Sequence, residues 1–192
     1  MKVFLIRHPE PVGAGGLCYG RTDLLVDPAV AQAAAAQMRP LLSGQLDAVI
    51  TSPLRRCTAL AALLADTYMT DDRLAELDFG CWEAVRWADI DRAAFDQWAA
   101  DYVRRPVPGG ESWADVRRRA GDFLAGLRTQ SFGTAVVVSH AGVLRALLAL
   151  VLGTQLEATW RIRLSFGAVA TVEIGPDAQA DRLIALTDTT AH

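Results

Sequence analysis

The chain has 192 residues, 52% of them hydrophobic, which suits a single domain with a substantial core and excludes a disordered chain. Its 19 basic and 22 acidic residues leave a net charge of −3, so the global positive footprint of a nucleic-acid or acidic-membrane binder is absent. A small anionic substrate must therefore be met by local positive charge.

In chain order, residues 3–6 follow Met1-Lys2 as a short apolar run, too short for a signal peptide, and read as a buried strand. No apolar run reaches membrane-spanning length, so a cytoplasmic protein is expected. Residues 28–42, alanine-rich with Val30, Ala34, Met38 and Leu41 at helical spacing, read as a helix. Ala48–Thr51 is a second buried strand, and residues 53–65 a second helix with Pro53 in its first turn. Residues 80–98 hold Trp82, Trp87 and Trp98 and are expected to pack over the sheet end as a loop and helix. Residues 105–110 form a loop. Ser112 and Asp115 bracket a capping box, after which Val116, Ala120, Phe123, Leu124 and Leu127 share one helix face. Residues 135–138 are a third buried strand, and residues 141–152 a helix apolar almost all round. Residues 168–174 and 183–186 complete the strands. Strands alternating with helices predict one domain over residues 1–192, an α/β fold of three α/β/α layers around a mostly parallel sheet.

The three cysteines, Cys18, Cys57 and Cys81, are far apart with no Cys-x-x-Cys, so unpaired thiols are expected rather than a disulfide framework or structural zinc. No His-x-His or His-Glu-x-x-His cluster is present, and neither a metal nor another cofactor is expected.

Open α/β sheets bind ligands at the carboxyl ends of their strands. Each of the three buried strands is followed there by cationic or imidazole side chains: Arg7-His8, then Ser52-Pro53-Leu54-Arg55-Arg56, then Ser139-His140-Ala141-Gly142. Of three histidines, His192 is the last residue, and the other two each stand one step past a buried strand. A single histidine there is usually structural; two, with arginines beside them, form a phosphate site more readily than a bland polar cluster. Arginine matches phosphate oxygens bidentately and stays charged. A neutral imidazole with one ring nitrogen pinned is a competent nucleophile. A leaving oxygen also needs a proton from a carboxylic acid. Glu76 is a candidate, though position alone does not separate it from a solvated glutamate.

Arg7-His8, Ser52-Pro53-Leu54-Arg55-Arg56-Cys57, Glu76-Leu77-Asp78-Phe79-Gly80-Cys81-Trp82-Glu83, Pro108-Gly109-Gly110-Glu111-Ser112 and Ser139-His140-Ala141-Gly142 occur in one order over residues 7–142. This ordered set resembles the histidine phosphatase superfamily, also called phosphoglycerate mutase-like. The resemblance implies a phosphomonoester hydrolase in which His8 is phosphorylated, Arg7, Arg56 and His140 complete the phosphate pocket, and Glu76 donates the proton. It implies no metal. Glu83 and Glu10 are the next carboxylates to consider as acid. The loop Arg7-His8-Pro9-Glu10-Pro11, with Cys18-Tyr19-Gly20-Arg21-Thr22-Asp23-Leu24, resembles the alpha-ribazole phosphatase branch of cobalamin biosynthesis. It makes Gly20, Arg21, Thr22 and Ala141 candidate substrate contacts beside Arg7 and Arg56. Pro9, Pro11 and Ala84 depart from the family's motifs, which have Gly, Thr and Gly there. Rival readings are a broad sugar-phosphate phosphatase, a phosphoglycerate mutase, for which no long insertion is present, and a non-catalytic phosphate-binding module. The expected partner is a small phosphomonoester, with no nucleic acid and no membrane. The sequence leaves the oligomeric state open.

Overall fold

A strand that is apolar on both faces needs cover on both sides, and the opening strand β1 (Lys2–Arg7) has that pattern. In the computed structural model, which describes residues 1–42 and 44–188 and so leaves His192 outside, both faces are covered. Val3 and Leu5 point to a core shared with Val116, Ala120 and Phe123 of α4 (Trp113–Arg128) and Val143, Leu144 and Leu147 of α5 (Ala141–Val151). Phe4 and Ile6 point to a smaller core with Ala35 and Met38 of α1 (Pro28–Met38) and Cys57, Leu60 and Ala61 of α2 (Arg55–Leu64). Each large aliphatic or Phe side chain buried this way contributes about 1.5–3 kcal/mol. The result is the expected three-layer α/β/α sandwich.

The sheet has six strands among the described residues, in the order β3-β2-β4-β1-β5-β6. Beside β1 they are β2 (Ala48–Thr51), β3 (Met69–Thr70), β4 (Thr134–Ser139), β5 (Val169–Glu173) and β6 (Arg182–Thr187). Neighbours β3, β2, β4 and β1 pair in parallel, whereas β5 is antiparallel to both β1 and β6. Only β5 runs against the others, so the sheet is mostly parallel. Between β3 and α4, residues 80–98 form two short 3₁₀ turns and enter α3 (Arg92–Ala99), a loop and helix as expected.

Two helix boundaries differ from the sequence reading. The first helix ends at Met38 rather than residue 42, because Pro40 has no N–H to continue the ladder. The second begins at Arg55, with Leu54 as an extended N-cap, so Pro53 lies before the helix and not in its first turn. The free N–H of Arg55 is capped from the first loop instead, by Asp23 Oδ1 at 2.7 Å. Strand β3, at two residues, is too short to show any period, and the sequence reading missed it.

Candidate active site

Because β2, β4 and β1 are adjacent and parallel, their carboxyl ends open side by side at one sheet edge. That register brings the segments after them together. His8, Arg7 and Arg56 line one cavity of about 210 Å³ with Glu76, Ala141 and Gly142. Tyr19, Arg145 and a ring of apolar side chains complete its wall.

His8 is buried, and its Nδ1 lies 2.7 Å from the Pro9 carbonyl oxygen. A carbonyl only accepts, so Nδ1 carries the proton and Nε2 keeps a free lone pair. Burial, followed by the charge of Arg56, holds the His8 pKa well below the ordinary imidazole value, so the ring is neutral at pH 7. This contact uses the Pro9 carbonyl, so it does not need the N–H that proline lacks.

Arg56 is fully buried in the first turn of α2. Its Nη2 donates to Gly20 O at 2.5 Å, its Nη1 to Thr22 O at 2.8 Å, and its Nε to His140 Nδ1 at 3.2 Å. Two of a guanidinium's five N–H donors remain for a phosphate. Arg7 donates from Nη1 to Leu164 O at 2.6 Å, and its guanidinium lies 3.8 Å from the Phe166 ring centre. Burial lowers the Arg7 pKa, and Tyr19 and Glu76 partly offset this.

His140 stands behind this pair rather than on the cavity wall. It is fully buried, 5.0 Å from His8 between ring centres, with Nε2 2.8 Å from Ser52 Oγ. Burial and then Arg56 hold its pKa well below the ordinary value. As a neutral ring accepting from Arg56 at Nδ1, it donates from Nε2 to Ser52, and so fixes the plane of Arg56.

Glu76 reaches the cavity from the segment after β3. Ser139 Oγ and Arg119 Nη2 tie down the carbonyls of Leu74 and Glu76 at 2.7 and 3.1 Å. The carboxylate accepts from Leu77 N at 3.0 Å and from Gly142 N at 3.1 Å. The Gly142 N–H is one of the free donors at the start of α5, and its bond fixes the Glu76 carboxyl at the cavity.

Of the candidate substrate contacts, Arg7, Arg56 and Ala141 line the cavity, while Gly20, Arg21 and Thr22 are absent from its lining. Gly20 and Thr22 hold Arg56 from behind. The Arg21 side chain turns to Glu111, 3.5 Å away. Glu83 is spent on the same loop, accepting from the N–H groups of Gly20, Arg21 and Thr22 and from Thr22 Oγ1. Glu10 is exposed.

The sequence reading missed Tyr19, Arg145, Trp113 and Trp160 as lining residues. Arg145 had a signal, being the only charged residue in an otherwise apolar α5; the aromatic residues had none that separates wall from core. Of the tryptophans it did single out, Trp87 is on the wall and Trp82 is buried in the core. Among the described residues no group of three His, Cys, Asp or Glu is placed to hold a metal, and no helix is long and apolar enough to cross a membrane.

A neutral imidazole, two arginines and a carboxyl group in one wall are the groups that phosphoryl transfer calls for. The sequence model of the histidine phosphatase superfamily, branch 1, matches residues 3–187. The chain belongs to that superfamily. It is accordingly a phosphatase, and several of its relatives carry phosphatase names. Adenosylcobalamin/alpha-ribazole phosphatase of Escherichia coli K12 is 31% identical over 185 residues, covering 91% of this chain and 90% of that protein. Phosphoserine phosphatase 1 of Hydrogenobacter thermophilus is 31% identical over 183 residues, covering 87% and 82%. The crystal structure of the alpha-ribazole phosphatase from Shigella flexneri superposes with a TM-score of 0.88 at 27% identity, covering 98% of this chain and 96% of that one.

Proposed function

We propose that this phosphatase hydrolyses a small phosphomonoester in two steps through a phosphohistidine at His8. The observation that carries the reading is the Nδ1 contact with Pro9 O, which leaves Nε2 as a neutral nucleophile in a wall that also holds Arg7 and Arg56. In the first step His8 Nε2 forms a bond to phosphorus while the ester P–O bond breaks. Arg7 and Arg56 take up charge on the phosphoryl oxygens, and the Glu76 carboxyl gives its proton to the leaving oxygen. In the second step the Glu76 carboxylate takes a proton from water, whose oxygen bonds to phosphorus as the P–N bond breaks. Inorganic phosphate leaves and His8 is free again. His140 acts through Arg56. The cationic work is done by arginine, so no metal enters either step.

Rapid quench with a labelled substrate is expected to trap an acid-labile, base-stable phosphoprotein, and His8→Ala to form none. A His8→Ala enzyme with wild-type turnover would overturn the mechanism.

The finer reading of the substrate is alpha-ribazole 5'-phosphate, supported by the Escherichia coli and Shigella flexneri relatives and by the loop residues 7–11 and 18–24. Phosphoserine is the second reading, favoured by the equal identity to the Hydrogenobacter thermophilus enzyme. A phosphate-release screen containing both esters separates them. We read the enzyme as one cytoplasmic domain, a location supported by three free thiols, the state expected of a reducing compartment.

A further inference from the structure

The wall of the His8 cavity does not end at the phosphate site. Phe79, Trp87, Trp113 and Trp160 line that cavity and also line a second one of about 360 Å³, which Trp98 and Tyr102 complete. Four shared side chains make the two spaces contiguous. The second chamber is aromatic by construction. Phe79 and Trp87 meet edge-on at 5.4 Å, Trp113 and Trp160 at 5.6 Å, and Tyr102 stands 6.3 Å from Trp160. Trp98 is held from behind by Trp82, again edge-on, at 5.6 Å. Such edge-to-face contacts fix ring planes.

Arg145 locks one wall. It donates from Nη1 to the carbonyls of Thr159 and Ile162, and its guanidinium lies 4.6 Å from the centre of the Trp160 ring. The turn that carries Trp160 is thereby pinned to α5. Trp87 and Trp160 nevertheless remain 40% and 46% exposed. Large flat apolar surface held rigid and open to water, beside a site for a polar phosphate, is unfavourable unless a ligand covers it. Ligand pockets have this make-up, mostly apolar and aromatic with a few convergent polar groups.

We propose that this chamber is the leaving-group subsite, and that it takes phosphomonoesters whose alcohol carries a flat aromatic ring system. The inference rests on the phosphatase reading for the position of the phosphate and goes beyond it in assigning the residues that choose the alcohol. A serine or glycerate alcohol is too small to fill the second chamber as well as the His8 cavity. A ring system attached a few bonds from the ester oxygen stacks on Trp160 or Trp87 while its phosphate meets Arg7 and Arg56.

The test compares naphthylmethyl phosphate with ethyl phosphate. Both are esters of alkyl alcohols, so both leaving groups need the same help from Glu76, and the ratio of their kcat/KM values reads the chamber alone. Stacking on an aromatic side chain changes binding by roughly fivefold to 150-fold. The wild-type enzyme is expected to prefer the naphthylmethyl ester by at least about tenfold, Trp160→Ala to reduce that preference by about tenfold, and Trp160→Phe to restore most of it. Trp87→Ala removes the other exposed tryptophan ring of the chamber should Trp160→Ala fail to fold. Calorimetric titration with naphthylmethylphosphonate and ethylphosphonate, which are not hydrolysed, measures the same preference without turnover. If neither ester is hydrolysed the phosphatase reading falls, and the titration still decides the chamber. Equal handling of the two compounds, or a preference that neither tryptophan variant alters, would overturn the proposal.

Discussion

Glu83 offers the sharpest test of how the phosphate site is held. Its Oε1 accepts from Arg21 N at 2.7 Å and Phe79 N at 3.0 Å, its Oε2 from Thr22 N at 2.8 Å and from Thr22 Oγ1, and both lie 3.1 Å from Gly20 N. Burial opposes the charged form, but the hydrogen bonds from Thr22, Arg21, Gly20 and Phe79 outweigh it and hold the carboxyl below its usual pKa. The carbonyls of the same loop, at Gly20 and Thr22, are the two that anchor Arg56. The chain of contact thus runs from the Glu83 carboxylate, through three backbone amides, to Arg56, the proposed phosphate-binding arginine. Gly20 is indispensable to it, because a Cβ there would overlap the Leu77 carbonyl oxygen.

Glu83→Gln keeps the shape and replaces one acceptor oxygen with an NH₂ group that faces N–H donors. One or two half-buried amides then lose their partner, at about 1–3 kcal/mol each. The variant is expected to be less stable by about 2–4 kcal/mol in urea unfolding. At denaturant-free conditions where it stays folded, kcat/KM is expected to fall by about tenfold or more on alkyl and aryl phosphates alike, since Arg56 serves the phosphate of both. Glu76→Gln supplies the contrast: loss of an acid hurts the alkyl ester, with its poor leaving group, far more than the aryl ester. A Glu83→Gln enzyme within about 0.5 kcal/mol of wild type would refute the clamp. A loss confined to alkyl esters would make Glu83 the acid instead.

Ala84 has φ 61° and an exposed side chain, so it bears a left-handed strain of roughly 1–2 kcal/mol with little packing in return. After the added entropy of the unfolded glycine chain, Ala84→Gly is expected to be about 0.5–1 kcal/mol more stable in urea, and a destabilised variant would contradict the strain. Both buried histidines have pKa values far below that of an unfolded imidazole, about 6.5, so on acidification the unfolded chain takes up protons first and is favoured. Stability is expected to be flat between about pH 7 and 8 and to fall below about pH 6.5 by up to about 1.4 kcal/mol per pH unit for each histidine. Urea midpoints at about pH 7.5 and 5.5 check this; equal values would refute the neutral burial of His8 and His140.

The chemistry was legible in the sequence where a buried strand ends on a cation, since burial and strand direction alone place Arg7, His8, Arg56 and His140 at one sheet edge. What the strands could not announce is their order. That β4 lies between β2 and β1 is set by how the crossovers pack, and it is this order that sets His140 between Arg56, whose Nε is 3.2 Å from its Nδ1, and His8, whose ring centre is 5.0 Å from its own. Arg21 shows the limit differently. A loop arginine can turn toward a ligand or toward a carboxylate, and the nearby Glu111, held by Arg119, decides it here. The antiparallel β5 was equally hidden, because a strand buried on both faces has the same apolar composition in either direction.

Gly142 shows why the acid and the aromatic chamber come as one unit. It occupies the second position of α5, where a helix N–H is free, and that N–H meets Glu76 Oε2. A Cβ at this place would overlap Glu76 Oε1 on one side and the Trp113 ring on the other. The missing side chain therefore lets a carboxylate and an indole close on the same helix end. Trp113, fixed there, lines both cavities, so the proposed proton donor and one ring of the proposed leaving-group chamber both depend on a single residue without a side chain.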